Sequence, residues 1–229
     1  MLITEQQNIT VLEAINERRS VRGFLDKTIP VQTLQTIFEQ AQQAPSNCNT
    51  QPWKVFVASG NVRDSISAQL LENVSQGIPQ AADFSYKSAF EGEYRDRQVA
   101  CAMELYSEMG VDRGDKEGRK KAMLRNFELF DAPYVAFLGM DKSFGETIAV
   151  DIGIYLQTLM LLMTSYGISS CAMGSLRGYP DVVRKAFDID DSTGILLGIS
   201  FGYEDPAVKA NNTRISRDPV SNSVIFKNS

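Results

Sequence analysis

Three clusters in this chain of 229 residues carry side chains suited to binding chemistry. The first is Arg18-Arg19-Ser20-Val21-Arg22. Three guanidiniums so close repel one another, and a helix C-terminus, whose dipole favours cations, is one place that tolerates them. The other reading is a phosphate site, since guanidinium forks match phosphate oxygens and the serine adds a hydroxyl donor. The second cluster is the loop Pro45-Ser46-Asn47-Cys48-Asn49-Thr50-Gln51-Pro52. Asn and Ser favour turns by bonding their own backbone. The same amides can match the alternating donors and acceptors on the edge of a flat heterocycle. The third is Cys171-Ala172-Met173-Gly174-Ser175, where a glycine after an apolar run lets a ligand approach the backbone. Downstream, Arg214 and Arg217 are either solvated or close over the same anion as the first cluster.

Composition narrows the chemistry. The chain has no histidine, which excludes Ser-His-Asp and Cys-His nucleophiles and His-rich catalytic metal sites. An enzyme built this way must use carboxylates, Lys, Tyr or Cys, or take its chemistry from a cofactor. The formal net charge of −5 argues against a nucleic-acid binder and against docking on anionic membranes. Three well-separated cysteines without a CxxC read as free thiols of a reducing compartment. The N-terminus lacks a basic segment followed by an apolar run, so a cytoplasmic protein is expected.

The elements that must position these groups follow from periodicity. Thr10 and Glu13 form a capping box that opens a helix with Val11, Leu12 and Ile15 as its apolar face. A second helix follows Pro30 and stops before Pro45. Strands are expected at 53–58, 132–139, 168–174 and 195–202, and helices at 66–74, 93–109, 115–130, 146–166 and 180–187. The single helix between the strands near 140 and 168 permits a parallel crossover, yet the isolation of the first strand favours an α+β sandwich over a doubly wound sheet. The uncharged stretch from Ile152 to Leu176 reads as a core helix whose apolar part falls short of a membrane span, followed by a strand. Residues 77–92 show no period and form a surface insertion whose Phe84, Tyr86 and Phe90 either stack on a planar ligand, as a lid, or pack on a neighbouring helix. Residues 204–229 carry no apolar face of their own.

The R-x-S cluster, the PSNCNTQPW loop about 25 residues later and Gly202-Tyr203-Glu204-Asp205 with its trailing arginines resemble the FMN-dependent nitroreductase family. Arg125-Asn126-Phe127-Glu128-Leu129-Phe130-Asp131-Ala132-Pro133 resembles its nitrobenzoate-reductase-like branch. The resemblance implies an α+β sandwich with a mixed, mainly antiparallel sheet. It implies one domain over 1–203 and an extension over 204–229 that wraps the partner in an intertwined homodimer. Two FMN sites would lie at the subunit interface. Arg18, Arg19 and Ser20 would bind the phosphate and ribityl end, with Arg217, or Arg214, adding charge. Ile215 stands where relatives often carry a lysine. Pro45, Ser46, Asn47 and Asn49 would come from the partner and line the flavin ring. The backbone of Ala172, Met173, Gly174 and Ser175 would face its N5 edge and pyrimidine, and Arg125 would add a polar contact. NADPH or NADH would reduce the flavin, and a small planar nitroaromatic or quinone would reoxidise it, with no metal and no side chain as obligate acid or base. Two alternatives keep the flavin: reductive dehalogenation or flavin modification, and a non-catalytic flavin-holding module.

Overall fold

The computed structural model describes residues 9–86 and 89–227. Among the described residues, seven α-helices, α1 (Val11–Glu17), α2 (Val31–Ala41), α3 (Gly60–Ser75), α4 (Gly92–Met109), α5 (Lys116–Leu124), α6 (Glu146–Ser165) and α7 (Pro180–Phe187), and several short 3-10 turns accompany four strands. The strands β1 (Lys54–Ser59), β2 (Tyr134–Asp141), β3 (Ser169–Met173) and β4 (Thr193–Gly202) form one sheet in the order β1-β2-β4-β3. All three pairings are antiparallel. A parallel bridge between Ser20 and Ser170 makes the sheet mixed.

Strand β2 explains why its sequence is continuously apolar rather than alternating: both faces are covered. Val135 and Phe137 enter a core shared with Ile66 and Leu70 of α3 and Val183 of α7. Ala136, Leu138 and Met140 enter the opposite core, with Ile37 of α2 and Ile152, Tyr155 and Leu159 of α6. The sheet is thus the middle layer of a helix–sheet–helix sandwich, the α+β class expected. The crossover allowed by sequence is not made between neighbours, because β4 inserts between β2 and β3.

The capping box at Thr10 is present, with the Glu13 N–H on Thr10 Oγ1 at 3.2 Å and the Thr10 N–H on the Glu13 carboxylate at 2.6 Å. The apolar face of α1 does not enter this core: Val11 and Leu12 are 70% and 72% exposed, and only Ala14 is buried. Helix α5 ends at Leu124, short of the 130 expected. The reason is a left-handed turn at Leu129, Phe130 and Asp131 (φ 58°, 56° and 62°), strained for side-chain-bearing residues. Arg63 clamps it by donating to the Ala132 and Glu128 carbonyls at 2.9 and 2.8 Å. Helix α6 is 20 residues long, with mean hydropathy 1.5, and so reaches the length and composition of a membrane span. Its core contacts and its buried Asp151 mark it as a packed helix.

Residues 87 and 88 of the expected insertion lie outside the described residues, as do 1–8 and 228–229. The described part up to Tyr86 is tied down rather than free. Ala81 N–H donates to the Gly178 carbonyl at 2.9 Å, and Phe84 lies on Gly194. Asp83 bonds Arg184, Lys142 and the Ile195 N–H. Phe84 therefore packs, though on strand β4 rather than on a neighbouring helix, while Tyr86 covers the Arg177 guanidinium at 3.2 Å.

Candidate functional site

The segment after α1 runs along the outer edge of β3. Val21 N–H donates to the Ser170 carbonyl at 3.1 Å, and Leu25 N–H to the Tyr203 carbonyl at 2.9 Å. Asn211 locks the C-terminal segment onto it. Its buried amide donates to the Gly23 and Asp205 carbonyls, both at 2.9 Å, and its carbonyl accepts the Arg22 N–H at 2.6 Å. Residues about 190 positions apart are thereby held together. The result is a cavity of about 990 Å³ lined by Arg18, Arg19, Ser20 and Arg22 from one end of the chain and Arg214 and Arg217 from the other. Asn16 and Glu17 at the end of α1, Thr213, Cys101 of α4 and Gln157 of α6 add further polar groups to the wall. The two arginine groups, far apart in sequence, thus line one cavity. The sequence reading missed Asn211, Gln157 and Cys101, which stand in no motif.

The arginines are not equivalent. Arg19 is paired with Glu204, which anchors it to the end of β4. Arg214 and Arg217 are exposed and donate to nearby carbonyls, Arg214 to Asn211 and Thr213, Arg217 to Ile215 and Ser216. Arg22 donates to the Ser20 carbonyl at 3.2 Å. Arg18, half-buried, has no side-chain partner among the described residues. Its main chain caps α1 by donating to Ala14 at 3.0 Å, so the cluster ends a helix and also lines the cavity. Burial pushes the Cys171 thiol up, against the nearby Arg22, Ser20 and Arg18, so it is a packed apolar group and not a nucleophile.

Backbone groups of successive strand residues face opposite edges, and those two apart face the same one. Because Ser170 faces the N-terminal segment, Ala172 turns its N–H and C=O to the same outer edge, and no further strand pairs there among the described residues. Gly174 follows with open space where a Cβ would stand. Ser175 Oγ is buried without a partner, and a buried hydroxyl left so calls for a ligand donor or acceptor. Met173 is buried and accepts a bond from Ser200. These features suit a flat polar ring edge, and the unpaired Arg18 with Ser20 suits a phosphate, so FMN fits the donor set.

The amide loop is shaped but not part of that cavity. Cys48, Asn49 and Gln51 all hold positive φ (48°, 56° and 46°), conformations that cost free energy and persist only where the surroundings enforce them. Ser46 Oγ accepts the Gln51 N–H at 2.9 Å, and the buried Asp151 of α6 accepts the Asn47 N–H at 3.1 Å. Pro45, Asn47 and Asn49 face solvent. Asp151 and Gln157 are six residues apart on α6, so one helix positions the loop and the cavity wall with about 9 Å of axial rise between them. Arg125 is also apart from the cavity. It is held by Glu128 at 2.7 Å and Asp131 at 2.6 Å, which keep it charged against the cost of its burial.

The described residues contain no group of His, Cys, Asp or Glu able to hold a metal. The Nitroreductase family model matches residues 15–203. Over 213 residues, 93% of this chain and 90% of the relative, the sequence is 37% identical to the nitroreductase NfnB of Mycolicibacterium smegmatis. It is 32% identical to a 4-nitrobenzoate reductase of Pseudomonas putida over 89% of each chain. The crystal structure of the FMN-dependent NfnB from Mycobacterium smegmatis in complex with NADPH superposes with a TM-score of 0.91, covering 95% of this chain and 98% of that one at 36% identity. An FMN- and NADPH-dependent NfnB from a sphigopyxis strain gives 0.93 at 27% identity, with 96% and 100% covered. With sequence, fold and the order of its polar clusters in agreement, this chain belongs to the nitroreductase family.

Proposed function

We propose that this protein is an FMN-dependent NAD(P)H oxidoreductase that reduces nitroaromatic or quinone acceptors. The observation that carries the reading is the convergence of Arg18, Ser20, Arg22, Arg214 and Arg217 on one cavity in a chain with no histidine. Bound FMN supplies the hydride and electron transfer, and the protein supplies binding, orientation and electrostatics. Arg18, Ser20 and Arg217 hold the phosphate, with Arg214 beside them. Arg19, through Glu204, fixes the segment that carries them. The edge at Ala172 to Ser175 faces the ring's polar side, where backbone N–H donors stabilise developing negative charge. No side chain is assigned as acid or base.

The loop at Pro45, Ser46, Asn47 and Asn49 completes the site from a second copy of the chain. Support comes from its absence from this chain's own cavity and from the uncovered apolar face of α1. The domain spans 1–203, and 204–229 reaches over the second copy. Ile225, 83% exposed, and Phe226 beside it have no core of their own here. The three free cysteines support a cytoplasmic setting. The test is anaerobic addition of NADPH to the purified holoprotein. The yellow flavin band bleaches and returns on adding a nitroaromatic. A colourless protein that takes up no FMN ends this reading.

A further inference from the structure

A second pocket lies behind Arg22, outside the large cavity except for that one residue. Its volume is about 230 Å³. Helix α4 lends Leu105 and Met109, one turn apart, α5 lends Ala122, the left-handed turn lends Phe130, and the segment after β4 lends Val208 and Lys209. Cavities of roughly 150 Å³ accept benzene, so this volume holds a ring with one small substituent. Its cations decide what that substituent is. Arg125 is already neutralised by Glu128 and Asp131. Arg22 bonds only a backbone carbonyl through its side chain, and Lys209 makes no ion pair among the described residues. The lining thus combines apolar walls with uncompensated positive charge. Phe130 forms part of the wall because Arg63 enforces the strained turn that carries it, and strain of this kind collects at ligand clamps.

We propose that this pocket is a binding site for a small monoanionic aromatic, an aryl carboxylate, with its ring among Met109, Ala122, Phe130 and Val208 and its carboxylate toward Arg22 and Lys209. Arg22 lines both this pocket and the large cavity, so the proposal rests on the flavin reading and the flavin spectrum reports any overlap between the two. Benzoate is the probe, titrated calorimetrically into holoprotein while the flavin spectrum is recorded. Saturable binding that leaves the flavin spectrum unchanged is expected. Ala122→Phe, which fills the pocket, weakens it at least tenfold, and Lys209→Gln weakens it about two- to five-fold, the range of one exposed charge. Benzyl alcohol, with the same ring and no charge, binds more weakly than benzoate. Retained FMN in both variants shows that they fold. The proposal is overturned if benzoate does not bind saturably, if its binding always shifts the flavin spectrum, or if it survives Ala122→Phe unchanged in a variant that keeps its FMN.

Discussion

Replacing Asp83 by Asn removes a charge that pins residues 78–86 to the sheet. Its carboxylate is only 5% exposed and sits between Arg184 at 2.9 Å and Lys142 at 3.1 Å, while accepting the Ile195 N–H at 2.8 Å. Burial alone would raise its pKa, but the bonds from Arg184, Ile195 and Lys142 outweigh burial and hold it below the usual carboxylate value. Breaking a buried pair by removing one partner costs about 3–5 kcal/mol. Here the cost is smaller. Arg184 keeps Asp181 at 2.7 Å, Lys142 keeps Asp191 at 2.9 Å, and the Asn carbonyl still accepts from Ile195. A loss of about 2–3 kcal/mol remains. At about 2–4 °C per kcal/mol for a chain of this size, the melting temperature at pH 7 falls by about 4–12 °C. Because the native pKa is lowered, the contribution is complete above the unfolded-chain value of about 3.9 and drains away as pH falls below it. Thermal melts of both proteins from pH 7 down to pH 3 measure this. The difference between them narrows in acid. A melting temperature within 1 °C of wild type at pH 7, or a gap that widens as pH falls, refutes the reasoning.

Two further outcomes follow from the geometry. Arg18→Ala removes the half-buried guanidinium that has no partner of its own and weakens FMN retention about 10- to 100-fold, the worth of one charge-assisted bond, as equilibrium dialysis shows. Unchanged retention removes Arg18 from the phosphate site. Gly139→Ala sets a Cβ against the Gly194 carbonyl oxygen, beside the register shift between Leu138 and Gly139, and costs about 1–3 kcal/mol in denaturant unfolding.

Much of this arrangement is legible in the sequence because it is local. The Thr10 box, Pro30 and the apolar runs mark element starts within a few residues. The arginine groups at 18–22 and 214–217 announce themselves as cations in an acidic chain, and the fold brings them together. What escaped depends on contacts distant in sequence. Nothing near Leu129 signals a left-handed turn, since Arg63, some 65 residues earlier, enforces it. The 78–86 strap has no period because it is pinned by an ion pair to Arg184, 101 residues away. Asp151 did leave a signal: a carboxylate on the buried stripe of an apolar helix needs a partner, and that partner is the Asn47 N–H. The spacing of Val11, Leu12 and Ile15 marks an apolar face on α1, yet all three stay exposed here, because periodicity does not say what packs on a face.

The proposed shared site holds one FMN between the arginine cavity of one copy and the amide loop of another. Heterodimers that combine Arg18→Glu in one chain with Asn47→Ala and Asn49→Ala in the other, purified through two different tags, test it most directly. A shared site leaves one pocket with both defects and one wholly wild type, so the mixed dimer binds one FMN per pair with near wild-type affinity while each parent binds poorly. If the site lies within one chain, every pocket keeps a defect, and FMN content stays at the parental level.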